Sequence, residues 1–140
     1  MTRDDWQEIA EERLIAARTL LDAHNWASAY YLVGYAIECG LKSCILARVA
    51  VNPVLIFLDK RYSEKCWTHD IEELVKLAGL EAARTTDATS NPELGKNWAT
   101  ATSWNEKSRY LMKTQADAQS LYDAITDAAN GVMQWIRIRW

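Results

Sequence analysis

Glu38 and Lys42 lie four residues apart inside an otherwise apolar stretch, Ala27–Val49, which reads ASAYYLVGYAIECGLKSCILARV. On a helix that spacing puts both on one face, with the acid N-terminal to the base, the favourable order for an ion pair. Two readings follow: a structural pair that sets helix register, or a polar site on a central helix. A charge buried there needs partners, because an unpaired one costs several kcal/mol. Arg109, on a segment entering the last helix, is expected to converge on the pair.

A second group of reactive side chains is the segment Trp104-Asn105-Glu106-Lys107-Ser108-Arg109-Tyr110. Arginine beside an aromatic suits stacking and bidentate binding of an anion. The same residues also suit a surface turn anchored by Trp104 and Tyr110, with Arg109 pairing Glu106 or Glu38.

The two histidines are His24 and His69. Arg18 and His24 stand six positions apart, about 600° of helical rotation, so an intact helix does not bring them to one face. His69 adjoins Asp70 just before a helix and reads either as a hydrogen-bonded loop histidine or as a site residue. Cys66, His69 and Asp70 are too few for a metal set. No glycine-rich phosphate loop, GxSxG or HExxH motif occurs, so neither a metal nor a cofactor is expected.

The elements that must position these groups are helical. With two prolines and five glycines in 140 residues, the chain has little turn chemistry for a many-stranded sheet. Its length suits one domain, residues 1–140, with about two thirds of the unfolded surface buried. The net charge of −3 argues against a general nucleic-acid coat but leaves room for a local basic pocket. Cys39, Cys44 and Cys66 lack paired CxxC spacing, so free thiols in a reducing cytoplasm are expected. Glu38, Lys42 and Arg48 interrupt the central stretch short of the roughly 20 apolar residues of a membrane span.

Trp6, Ile9, Ala10, Leu14, Ala17 and Leu21 recur at helical spacing and predict a first helix from Asp4 to Ala23. His24-Asn25 should break it, Asn25 tolerating the left-handed conformation, so that the first two helices form a hairpin. Gly34 and Gly40 should admit a neighbouring backbone. After Val49, a connector with one short helix is expected, docked by the apolar run Val54–Leu58. Asp70 and Glu73 stand at capping-box spacing ahead of IEELVKLAGL, with Gly79 as its stop. Glu81–Ser90 reads as a polar loop, and Asn91-Pro92 as the start of a helix to Ser103. A last helix is predicted from Thr114 to near Trp140. The sum is an all-α, up-and-down bundle of four or five helices.

Three stretches in order, AYYLVGYAIECGLKSCIL, THDIEEL and WNEKSRY, resemble the HEPN domain family of small helical bundles. The Tyr-Leu-x-Gly-Tyr-Ala-x-Glu-x-x-Leu-Lys run is the most specific part. His69-Asp70 is similar to the family's His-Asp-Leu helix start, with Ile71 in place of Leu. Trp104, Glu106, Arg109 and Tyr110 resemble a Trp-x-Glu-x-x-Arg-Tyr signature of some members. The resemblance implies a homodimer, often encoded beside a nucleotidyltransferase as a toxin–antitoxin pair. Catalytic members are metal-independent ribonucleases with an Arg-x4–6-His motif. Here Lys113, Thr114, Gln115 and Ala116 stand where that histidine would fall. The general acid–base partner is missing, so no catalytic residue is carried over. The expected function is a binding module for a nucleotide, an RNA or a partner protein, through Glu38, Lys42, His69, Asp70, Trp104, Arg109 and Tyr110. The alternative is an endoribonuclease with an unorthodox site built from His69 or His24 with Arg109.

Overall fold

Thr2 begins the first helix by a reciprocal cap: its hydroxyl accepts from the Asp5 N–H, and the Asp5 carboxylate accepts from the Thr2 N–H. The computed structural model describes every residue, Met1–Trp140, and contains helices and turns but no strand. Helix α1 (Arg3–Asp22) buries Ala10, Leu14, Ala17 and Leu21, a single stripe at spacings of three and four. It ends as expected, but the left-handed residue is His24, at φ 61°, and not Asn25. The His24 N–H reaches the Leu21 carbonyl and the Asn25 N–H the Leu20 carbonyl, which together make a Schellman stop. Stacking of the His24 ring on Trp26, centroids 5.0 Å apart, holds the strained residue.

Helix α2 (Trp26–Val51) is the axis of the bundle, and every residue from Ala36 to Ile45 is buried. Helix α1 packs along it as the other arm of the hairpin, and α5 (Ile71–Leu77), α8 (Gln115–Thr126) and α9 (Val132–Arg137) cover the remaining sides. Its two glycines make room for side chains, not for a backbone. A Cβ at Gly34 would fall inside the Trp104 indole, and one at Gly40 would come within 2.9 Å of Ile136 Cγ2.

The connector differs from expectation. It holds two single turns, α3 (Leu55–Leu58) and α4 (Tyr62–Lys65), and of the run Val54–Leu58 only Leu55 is buried. Helix α5 stops at Gly79, φ 71°, where Arg48 lies close and donates to the Leu77 carbonyl at 2.9 Å.

Residues expected to form a loop make helix α6 (Glu81–Ser90), although it buries no residue. Thr85, Thr89 and Ser90 direct their hydroxyls to carbonyls four residues back, so the polar side chains do not compete with the helix for its donors. Tertiary contacts hold it in place. Arg84 donates to Glu72 at 2.7 Å and lies over Trp98, and Asp87 accepts from Trp135 and Arg139. Helix α7 (Pro92–Thr102) starts where Asn91-Pro92 predicts, with Asn91 Oδ1 accepting from the Leu94 N–H.

The predicted long last helix is broken between α8 and α9. Asp127 Oδ2 accepts from the N–H groups of Ala129 and Asn130, a side-chain turn that competes with the helical ladder. Apolar spacing continues across the break through Val132 and Ile136, which is why periodicity alone runs past it. The result is the all-α bundle, with α1, α2 and the α8–α9 pair supplying most of the core.

All three cysteines are free thiols. Burial pushes Cys39 and Cys44 up to about 12 from an ordinary value of 9.0. The unfolded chain therefore releases these protons first, and stability should fall as pH rises from about 9 towards 12, by at most about 1.4 kcal/mol per thiol per pH unit. Denaturant midpoints across that range test the slope. At neutral pH a thiol reagent should label half-buried Cys66 alone until denaturant is added. Gly34→Ala should cost about 2 kcal/mol by displacing the Trp104 ring, with a shift in tryptophan emission; an unchanged midpoint would contradict this packing.

Candidate functional site

Tyr31, Tyr35, Glu38 and Lys42 recur every three or four residues, so they form one line along α2. Two short segments pack against that line. The first is Thr68-His69-Asp70, the entry to α5. The second is the 3-10 turn Glu106–Tyr110, which follows α7. Both are shaped by local caps. Asp70 accepts from the Glu73 N–H at 3.0 Å, and Thr68 Oγ1 from the Asp70 N–H at 3.1 Å. Asn105 Oδ1 accepts from the Lys107 N–H at 2.9 Å, while Ser108 Oγ donates to the Asn105 carbonyl at 2.7 Å.

Glu38 is the meeting point. Its carboxylate is fully buried and accepts from Lys42 Nζ at 2.8 Å. His69 Nδ1 lies 2.9 and 3.0 Å from its two oxygens. A carboxylate only accepts, so this geometry keeps the imidazole proton on Nδ1. The other ring nitrogen, Nε2, then points outward, 3.3 Å from Glu106 Oε2. Lys42 is also buried, and its ammonium sits 5.1 Å from the centre of the Trp6 ring. The pair is thus a buried one, hydrogen-bonded on both sides, and not a solvated surface bridge.

His69 opens onto a polar depression of about 320 Å³ lined by Thr68, His69, Asp70, Asn105, Glu106 and Lys107. Two carboxylates face an imidazole and an ammonium there, so it carries no large excess of either sign. Such a site can hold a small polar group through several weak donors and acceptors.

The predicted convergence of Arg109 on Glu38 does not occur. Ser108 is the only buried residue of the 3-10 turn, and His69 fills the open side of the carboxylate. Arg109 is left at the surface, its guanidinium 4.8 Å from the centre of the Tyr110 ring, with Tyr31 beside it. It pairs with neither Glu38 nor Glu106. Trp104, read as a stacking residue, is instead buried against Gly34 and tilted on Tyr31, centroids 6.0 Å apart. Tyr110, 76% exposed, is the aromatic that a ligand can reach. Asp70 serves as helix cap while lining the depression. Away from this region, Arg18 pairs with Asp22 at 2.9 Å and His24 closes the hairpin, so those two do not form a site.

Thr68 is absent from the sequence expectations, and Asn105, Glu106 and Lys107 enter them only as parts of the Trp104–Tyr110 segment, not as binding residues. Their signal was present as two cap tripeptides, Thr68-His69-Asp70 and Asn105-Glu106-Lys107. Nothing in the spacing said that the two would face each other.

Glu38→Ala should destabilise by about 3 kcal/mol or more in denaturant titration, because it strands a buried ammonium. Replacing both partners, Glu38→Leu with Lys42→Met, should recover most of that loss. A cost below about 1 kcal/mol for the single change would mean that the pair behaves as an exposed one.

The arrangement can be set beside known proteins. The family profile described as HEPN domain matches residues 4–139. No curated protein and no solved structure matches the chain. The family match runs from the first turn of α1 to the end of the chain and so takes in the hairpin, the His69 entry and the Glu106–Tyr110 turn together. On that extent, this chain belongs to the HEPN domain family.

Proposed function

We propose that this HEPN domain is a binding module for a nucleotide or an RNA. It would work as a homodimer, with a nucleotidyltransferase as its partner protein in a toxin–antitoxin or defence pair. The observation that carries the binding reading is the exposed Arg109–Tyr110 pair, presented by the same short turn that brings Glu106 to His69. Neither side chain serves the core. A guanidinium stacked on a phenol offers a phosphate donor and a base platform at once, and Lys107, two residues before Arg109, adds a further donor. Lys42, neutralised by Glu38, supports this site from below and would not itself meet the ligand.

A second reading, an endoribonuclease with an unorthodox site, rests on the orientation of His69. A buried carboxylate that holds Nδ1–H leaves Nε2 facing outward, the arrangement by which a histidine can accept a proton. Against it, Glu106 lies 3.3 Å from Nε2 and, being a carboxylate, can pair with that nitrogen only when it carries a proton, the form in which it cannot act as a base; the position of the family's histidine falls at the start of α8, where Thr114 and Asp117 form a cap.

A labelled short RNA and a nucleoside triphosphate, titrated by anisotropy and calorimetry, test both readings. Binding should weaken as salt is raised and fall about tenfold in Arg109→Ala, the loss of one charge-assisted contact. RNA cleavage should not exceed that of a control preparation. Cleavage abolished by His69→Ala would move the protein to the second reading, and binding indifferent to Arg109 would remove the first.

A further inference from the structure

Within the Glu106–Tyr110 turn the hydrogen bonds are local. Asn105 serves Lys107 and Ser108, and the Leu111 N–H closes on the Ser108 carbonyl. Buried Trp104, just before the turn, seats it against Gly34 and Tyr31 of α2. At the first residue of the turn a single ion pair reaches the entry of α5: Glu106 Oε2 lies 3.3 Å from His69 Nε2.

That contact depends on one proton. Glu38 holds the Nδ1–H inside the bundle, so Nε2 is the nitrogen whose state can change. With a second proton on the ring, Nε2–H donates to Glu106 and the imidazolium is paired at both ends. Without it, a lone pair and a carboxylate oxygen face each other as two acceptors, with no hydrogen between them. His69 and Glu106 are each 44% exposed in their side chains, so solvent supplies and removes this proton, whereas the Glu38 end is sealed. The charged groups around the ring are Glu38 and Lys42 from α2, Asp70 beside it, and Glu106 and Lys107 from the turn. Three are acidic and two basic, so the doubly protonated ring completes a balanced set.

We propose that His69 is a proton-operated latch on the turn that carries Arg109 and Tyr110. The doubly protonated ring docks Glu106 and fixes the turn. The singly protonated ring lets Glu106 go and leaves the turn held by Trp104 and Ser108. The proposal rests on the reading of Arg109 and Tyr110 as the binding pair and adds the regulation of that site. Those two residues follow Glu106 by three and four positions, so the latch decides whether they stand in one geometry or several. A pair already fixed binds more tightly than one the ligand must order. Binding is therefore tighter on the acid side and weakens as pH rises and the proton leaves. Imidazoles change charge between about pH 5 and 8, the interval over which such a latch works. His24, the other histidine, stacks on Trp26 at the α1–α2 hairpin and takes no part in the contact.

Nuclear magnetic resonance on the full chain, from about pH 5.5 to 8.5, tests the latch. The amide signals of Glu106–Tyr110 should move in one step, with the same midpoint as the His69 ring. In Glu106→Gln that step should vanish while the ring still titrates, because an amide accepts from Nε2–H and donates to bare Nε2 alike. His24→Asn, which tolerates the positive φ, should leave both signals as in the native chain. Amides indifferent to the His69 titration, a ring that keeps one form throughout, or a step that persists in Glu106→Gln would each overturn the latch. A labelled short RNA, whose phosphodiesters keep their charge over this range, should bind the native chain about threefold more weakly at the high end, as when the fixed turn falls to about a third of the population. Glu106→Gln should remove that difference. A difference that survives there would mean that the charge of His69 acts on the RNA directly, and would also overturn the latch. RNA that binds at no pH would defeat the binding reading, while the amide signals would still decide the latch.

Discussion

A carboxylate with no exposed surface, in the middle of the most enclosed helix of the molecule, constrains much of what surrounds it. Burial of Glu38 is tolerable only if donors replace the water its oxygens have lost, and the fold supplies two from different directions. Lys42 comes from the same helix, one turn on, and is held in place by Trp6 of α1. His69 comes from the turn that precedes α5. Through these contacts one acid links the hairpin, the α5 entry and, by way of Glu106, the turn after α7.

That link joins regions of different character. On the Lys42 side lies an apolar groove, and on the His69 side a depression lined only by polar groups. The buried chain Lys42–Glu38–His69 runs between them, so the stability of the bundle and the shape of the depression depend on the same hydrogen bonds. Arg109 and Tyr110 stand apart from that dependence. They are surface groups on a turn anchored by Trp104 and Ser108, which lets them vary without disturbing the core.

Much of the architecture is legible in the chain. The stripe of α1, the all-round apolar character of α2, the caps at Asp70 and Asn91 and the pairing of Glu38 with Lys42 all follow from spacings within one turn or two. Where local reading fails, a specific tertiary contact or turn has won. Glu81–Ser90 is helical because Arg84 and Asp87 are tied to Glu72, Trp135 and Arg139. The last helix breaks because Asp127 captures two N–H groups, a turn that the continuing apolar period conceals. Trp104, which invites a stacking role on paper, is taken up by the hole above Gly34.

The sequence by itself determined the helical class, the family and the presence of a charged pair inside a buried helix, because each is written in residues close together along the chain. Which third residue completes that pair was decided by the tertiary structure. His69 and Arg109 were both available on local grounds, thirty-one and seventy-one positions from Glu38. The choice fell to His69 because the cap at Asp70 fixes the direction of its turn, while the 3-10 turn of Arg109 buries Ser108 and turns the guanidinium to solvent. Sequence spacing cannot express that difference, since it depends on how two short turns from distant parts of the chain meet one face of α2.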